Sequence, residues 1–319
     1  MADGRIVCVS ANPAMDRRLR VASLAVGEVN RAKNASGLAG GKAAHVAMAA
    51  RAMGAAATWI GFLGGPIGEE CAAQLEALDI EVVAAHTVAS TRVNLEVIED
   101  SGKVTEILEP GAAPTVEEIA EFLRACSERI REAGKGAFLA ISGSLPAGVS
   151  TDFYVSLIES ARTQGARIFV DTSGGALRES VKANPDFVKV NRTETEALLG
   201  TALKSSQETV QAAREIIQRG ASSAAITLGK DGLVWVEHRD GPVWMARPPG
   251  ANVISTVGCG DATLAGFAYA AIHGIDGENA VRLAAACGAA NCAASAPGRI
   301  NFANVQSLLP QIEVQKMSF

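Results

Sequence analysis

The chain predicts an α/β fold in which a mostly parallel central sheet is flanked by helices on both faces, with a small β lid. Three observations predict it. Short apolar runs of strand length alternate with longer helical stretches. Hydrophobic residues make up 48% of the 319 against 20% charged, enough for a substantial core. Aromatics are only 4% while Ala and Gly are abundant, which suits close packing of helix on sheet.

Along the chain, a first strand is expected at Ile6–Val9, a helix over Ala43–Ala52, a strand at Ala57–Gly61 and a helix over Glu69–Leu78. A helix over Val116–Glu132 leads to a strand at Phe138–Ser142, a helix over Asp152–Gln164 and a strand at Arg167–Asp171. A helix over Ala176–Ala183, a strand at Phe187–Val190 and helices over Thr193–Leu199 and Thr209–Arg219 follow. Strands at Ala224–Leu228 and Gly232–Val236 and helices over Asp261–His273 and Gly277–Ala294 complete the alternation. Gly- and Asp-rich segments directly after strands, such as Gly143-Ser144-Leu145-Pro146, Asp171-Thr172-Ser173-Gly174-Gly175 and Gly229-Lys230-Asp231-Gly232, mark the sheet's carboxyl edge, where ligands collect in such folds.

Two stretches, Arg17–Ala32 and Arg92–Glu109, have period-2 character and a hairpin-like turn at Glu99-Asp100-Ser101-Gly102-Lys103. They read as antiparallel strands outside the main sheet, a lid inserted at about 17–36 and 87–109 into a single domain spanning 1–319. No internal repeat or low-complexity linker interrupts it.

The net charge of -5 and the absence of blocks of like charge argue against a nucleic-acid surface. The six cysteines include no C-x-x-C pair and no metal-ligand spacing with His, as expected of a reduced, cytoplasmic protein. No signal-like apolar segment opens the chain, and no run reaches membrane-spanning length.

The most informative motif is Gly258-Cys259-Gly260-Asp261, which opens a small-residue helix running to Ala271. Amides freed of side-chain bulk at a positive helix end form an anion cradle, and Asp261 falls in the first turn beside it. A cradle for developing phosphate charge next to a proton-accepting carboxylate is the minimum equipment for phosphoryl transfer to a hydroxyl. A plain helix start with an acidic first turn accounts for the tetrapeptide equally well on its own.

The other motifs each have a bland reading. Asn12-Pro13-Ala14-Met15-Asp16 is a turn with a short acid, or a carboxylate past the first strand placed to bind a polyol. Gly40-Gly41-Lys42 is a second anion-compatible helix start, but Ala43 stands where a Walker A loop needs Ser or Thr, and no G-x-G-x-x-G fingerprint supports a dinucleotide enzyme. Asn191-Arg192-Thr193-Glu194 reads first as a capping box. Arg92 is a solvent-facing strand residue or a fork for a substrate phosphate, and His45 is an ordinary helix residue or a ligand contact.

Taken together and in order, these segments resemble the ribokinase-like (PfkB) carbohydrate kinases over essentially the whole chain, and most of all their 1-phosphofructokinase, tagatose-6-phosphate kinase and ribokinase-type 6-phosphofructokinase group. The resemblance rests on Asn12-Pro13-Ala14-x-Asp16, Gly27-Glu28-Val29-Asn30-Arg31, Gly40-Gly41-Lys42, Thr91-Arg92-x-Asn94, Pro110-Gly111, Ser142-Gly143-Ser144-Leu145-Pro146, Asp171-Thr172-Ser173-Gly174, Asn191-x-x-Glu194 and Gly258-x-Gly260-Asp261.

It implies an ATP- and Mg²⁺-dependent kinase for a sugar phosphate, with a neutral sugar or nucleoside kinase and a silent sugar- or nucleotide-binding sensor as alternatives. Asp261 would be the base and Gly258, Cys259 and Gly260 the anion hole. Asp16, Gly40, Gly41, Lys42, His45 and Ser142 would bind the acceptor, and Arg92, Lys42 and Arg31 its phosphate. Asn191 and Glu194 would organise magnesium through water, and Thr227, Gly229 and Gly232 would line the ATP pocket. Potassium use and a homodimer through the lid are further implications.

Three departures stand out. His45 replaces the usual Asn of the family's Gly-x-Asn, Val190 replaces a Pro, and Cys259 replaces an Ala in the anion hole. At a helix N-terminus the Cys259 thiol is expected to be acidified and open to thiol reagents, with ATP protecting it.

Overall fold

The computed structural model describes residues 4–134, 136–250 and 253–317. The chain enters as β1 (Arg5–Ser10), then β2 (Ala14–Val21), β3 (Asn34–Gly40) and α1 (Lys42–Ala52). Next come β4 (Ala56–Leu63), α2 (Gly65–Glu76), β5 (Glu81–His86), β6 (Arg92–Glu99) and β7 (Val104–Leu108). The middle holds α3 (Val116–Ala133), β8 (Phe138–Ser142), α4 (Phe153–Thr163), β9 (Arg167–Asp171), α5 (Gly174–Lys182) and β10 (Phe187–Asn191). The last third holds α6 (Arg192–Leu199), α7 (Ser206–Gln218), β11 (Ala224–Thr227), β12 (Leu233–Val236) and β13 (Val243–Arg247). It ends with α8 (Cys259–Ile272), α9 (Gly277–Cys292), α10 (Phe302–Leu308) and β14 (Glu313–Met317).

A ten-stranded sheet runs in the order β14-β13-β12-β11-β10-β9-β8-β1-β4-β5. From β11 to β5 every neighbouring pair is parallel, while β12, β13 and β14 extend it as antiparallel strands. Successive residues of a strand face opposite sides, and both sides are buried here. Ile6 and Cys8 pack with Val46 of α1, Phe267 of α8 and Val281 of α9. Val7 and Val9 pack with Phe122 of α3, Leu157 of α4 and Ile216 of α7 on the other face. The small-residue run of α8 lets it lie close on α9: a Cβ added at Gly266 would stand 2.7 Å from the Cα of Ala284.

The lid is a four-stranded sheet ordered β3-β2-β6-β7. Its outer pairs are antiparallel, but the central pair, β2 with β6, is parallel, contrary to the all-antiparallel expectation. The strand expected to run to Ala32 stops at Val21, and its partner β3 leads straight into α1. Arg18 of the lid pairs with buried Glu96 and reaches the carbonyl of Ser295 (2.6 Å), tying the lid to the segment after α9. Helix α2 begins a turn earlier than expected because Pro66 sits in its first turn, where a missing N–H costs nothing. The edge elements β5, β13, β14 and α10 were not anticipated.

Candidate active site

The tips of β1, β8, β9, β10 and β11, the start of α8 and the inner face of the lid surround a cleft of about 1330 Å³. Gly258 caps α8 in the left-handed region (φ 78°), and a Cβ there would also press on Pro297 at 2.9 Å, so the turn demands glycine. Among the described residues the amides of Gly258 and Gly260 meet no backbone acceptor, whereas that of Cys259 turns to the carbonyl of Thr256 at 3.3 Å. Asp261 follows in the first helical turn, 5% exposed and on the cleft wall.

One ring joins this carboxylate to the lid. Nδ1 of His45, on α1, lies 2.9 Å from Oδ2 of Asp261, and its Nε2 lies 3.3 Å from Oδ2 of Asp16. Burial opposes a charge on His45, but the hydrogen bonds and negative charge of Asp16 and Asp261 outweigh it and push its pKa up to about 10. Asp16 sits on β2 directly across from Asn94 of β6, whose Nδ2 donates to Oδ1 at 2.9 Å. Gly40 makes room for that carboxylate, since a Cβ there would lie 2.1 Å from it.

A second cluster lies below the anion cradle. Asp171, fully buried at the tip of β9, accepts from Lys42 Nζ (2.7 Å) on one oxygen and from Lys189 on the other. Burial would raise the Asp171 carboxyl, but the two lysines hold it below the usual carboxylate range. Lys42 also reaches Glu194 Oε1 at 3.3 Å, and these carboxylates, with Asp261, raise its pKa against the opposing effect of burial. Lys189 Nζ is close enough to the cradle that a Cβ at Gly260 would stand 2.8 Å away.

Asn191 and Glu194 do form the capping box: the Asn191 side chain accepts from the Glu194 amide and the Glu194 side chain from the Asn191 amide, each at 2.8 Å. The two readings are compatible, because both residues also line the cleft beside Thr227, Gly229 and Gly232. A carboxylate and an amide near a phosphate cradle suit a magnesium ion that keeps most of its water.

Several expectations need correction. Arg31 is exposed on the stretch between β2 and β3 and does not line the cleft of its own chain. Ser142 is fully buried, its hydroxyl has no partner among the described residues, and neither it nor Gly40 lines the cleft. Lys42 is turned to Asp171 and Glu194, so it is not one half of a clamp with Arg92. The Arg92 fork donates to the carbonyls of Glu109 (2.5 Å), Asn12 (3.1 Å) and Pro13 (3.4 Å), and the residue lines the cleft. Finally, Cys259 is not acidified: its hydrogen bond to Cys292, with burial and nearby Asp261, raises its pKa. The lowered thiol is Cys292, for which contact with the Cys259 sulfur outweighs the effect of its own burial.

Lys189, Asp171 and Asn94 were not among the expected site residues. The signal for Lys189 was available, a lone cation inside the apolar run Phe187–Val190.

Comparison with known proteins agrees with this geometry. Residues 4–301 match the model of the pfkB family carbohydrate kinases. The chain is 28% identical over 312 residues to a 1-phosphofructokinase of Bacillus subtilis, covering 98% of this chain and 100% of the relative. It is 30% identical over 311 residues to the 1-phosphofructokinase of Escherichia coli K12, covering 98% of each. Among solved structures, phosphofructokinase-2 from Escherichia coli in complex with substrates and products superposes with a TM-score of 0.88 at 29% identity, covering 96% of this chain and 99% of that one. A structure of that enzyme in complex with potassium matches with the same score at 28% identity, covering 98% and 99%. A carboxylate beside a helix-end anion cradle, within a sheet and lid of this topology, is therefore no coincidence of motif: the chain belongs to the pfkB family of carbohydrate kinases, phosphotransferases that act on a sugar hydroxyl.

Proposed function

We propose that the chain transfers the γ-phosphoryl of ATP to a hydroxyl of a ketohexose phosphate, with fructose 1-phosphate ahead of fructose 6-phosphate and tagatose 6-phosphate. The observation that carries this reading is the bridge Asp16–His45–Asp261, which sets a polyol-binding carboxylate on the lid and a base at the anion cradle within reach of one ring. The named relatives favour fructose 1-phosphate as acceptor.

Asp261 takes the proton of the attacking hydroxyl, and the amides of Gly258 and Gly260 receive the charge that develops on the phosphoryl group. Lys42 and Lys189, held by Asp171, add positive charge on the same side. Magnesium, bound through water by Glu194 with Asn191 beside it, would neutralise the triphosphate. Asp16, steadied by Asn94, accepts from sugar hydroxyls. Arg92, the cation of the lid side of the cleft, takes the phosphate already on the acceptor. Closure of the lid excludes water, so that ATP is not hydrolysed instead.

The lid carries exposed Val26, Val29, Ile107 and Leu108 (93%, 83%, 59% and 58%), apolar area that supports a homodimer through this sheet. The neighbour solved in complex with potassium supports binding of potassium by this chain. No described helix is long and apolar enough to cross a membrane.

A coupled ADP-release screen over these sugar phosphates, free sugars and nucleosides, with and without potassium, tests the reading. Fructose 1-phosphate is expected to give the highest kcat/KM. A neutral sugar or nucleoside ranking first, or no acceptor-dependent ADP at all, overturns it.

A further inference from the structure

Two thiols meet at the anion cradle. Cys259 is the first residue of α8 and Cys292 the last of α9; both are half-buried and both face the cleft. Their sulfurs are 2.8 Å apart, not far beyond the length of a disulfide bond of about 2.0 Å. The other four cysteines, Cys8, Cys71, Cys126 and Cys287, are buried, and burial raises the pKa of each.

The surroundings couple this pair to the cradle. The carbonyl of Cys292 accepts from the amides of Ile254 (2.8 Å) and Ser255 (3.3 Å), on the segment that leads into the Gly258 turn. Asn291 donates to the carbonyl of Val257 at 2.8 Å and approaches the Cys259 sulfur at 3.4 Å. The end of α9 is thus a strut under the turn that presents Gly258, Gly260 and Asp261. Any change in the separation of the two sulfurs is passed to that turn.

We propose that Cys259 and Cys292 form an oxidisable dithiol site that reacts with hydroperoxides, and that closing the disulfide draws the first turn of α8 toward α9 and stops phosphoryl transfer. The functional half of this proposal rests on the kinase reading of the same cleft. Cys292 is the attacking sulfur: contact with the Cys259 sulfur lowers its pKa against the effect of its own burial. It displaces water from the peroxide O–O bond and becomes a sulfenic acid. The Cys259 sulfur then attacks Cys292, the S–O bond breaks, a second water leaves with the thiol protons, and the S–S bond forms. Two thiols lose two electrons and two protons, and one hydrogen peroxide becomes two waters. A thiol reductant reverses the change.

The test treats the intact protein with hydrogen peroxide, with and without ATP, blocks remaining thiols, and maps peptides without reduction while assaying turnover. The expected result is a Cys259–Cys292 cross-linked peptide, slowed by ATP, with a loss of turnover of about tenfold or more that dithiothreitol restores, a misplacement effect at a catalytic turn. Cys292→Ser and Cys292→Ala should each keep the same turnover before and after peroxide. Absence of the cross-linked peptide, a cross-link that leaves turnover unchanged, or equal peroxide sensitivity in the Cys292 variants overturns the proposal. If the kinase reading itself is wrong, no acceptor gives turnover even in the reduced protein, while the cross-link still appears in the peptide map.

Discussion

The imidazole of His45 is held between the carboxylates of Asp16 and Asp261, at 3.3 Å and 2.9 Å, so that one charged ring spans the lid and the head of α8. In this family position the usual Asn carries no charge. His45 therefore adds a titrating link that a standard member lacks.

That link makes stability depend on pH in a definite direction. The folded-state pKa of His45, about 10, lies above its ordinary value near 6.5. Its stabilisation is fully present below about pH 6.5 and is lost as pH rises through about 10. Thermal melts from pH 6 to pH 10 should show the wild type losing more melting temperature than His45→Gln. Parallel curves contradict the charged bridge.

The lysine pair on Asp171 predicts a stability effect. Asp171→Asn removes the charge that Lys189, 2% exposed, depends on. Breaking a buried pair in this way costs about 3–5 kcal/mol. Urea unfolding should report a loss in that range; a loss below about 1 kcal/mol means that water reaches Lys189.

Arg92 predicts a change in acceptor binding. Arg92→Ala should raise KM for the sugar phosphate about tenfold to hundredfold, the worth of charged hydrogen bonds of about 1.5–3 kcal/mol, with KM for ATP unchanged. Arg92→Lys should recover only part, because it keeps the charge and loses the fork. An unchanged acceptor KM moves the reading toward a neutral sugar or nucleoside.

The lid predicts an assembly. Ile107→Asp places a charge on the exposed apolar strand β7 and should convert a dimer to a monomer in light scattering. A wild type already monomeric contradicts a dimer through this surface.

Most of the sheet and both helix layers were legible, because the buried strands β1, β4 and β8 to β12 of the main sheet are short, mainly apolar runs bounded by turn residues. The cradle was legible for a related reason: Gly258-x-Gly260-Asp261 encodes a local turn, and local geometry is what adjacent residues specify. The parallel pairing of β2 with β6 was not, since a period of two reports which face a residue takes and says nothing of strand direction. Nor was the destination of Lys42, which depends on Asp171, a residue 129 positions away. Cys259 illustrates the same limit: its helix N-terminus favours a thiolate, but Cys292 arrives from another helix, and contact with its sulfur raises the Cys259 pKa instead. Arg31 belongs to a motif of the family, yet it lies on an exposed segment of the lid, outside its own chain's cleft.

The most direct test of the account is the turnover of Asp261→Asn with the preferred acceptor, measured beside its affinity for ATP. General-base loss should lower kcat by about 10³-fold or more while ATP binding by calorimetry stays within about twofold of the wild type. Near-normal turnover together with lost ATP affinity would show that Asp261 holds nucleotide and is not the base.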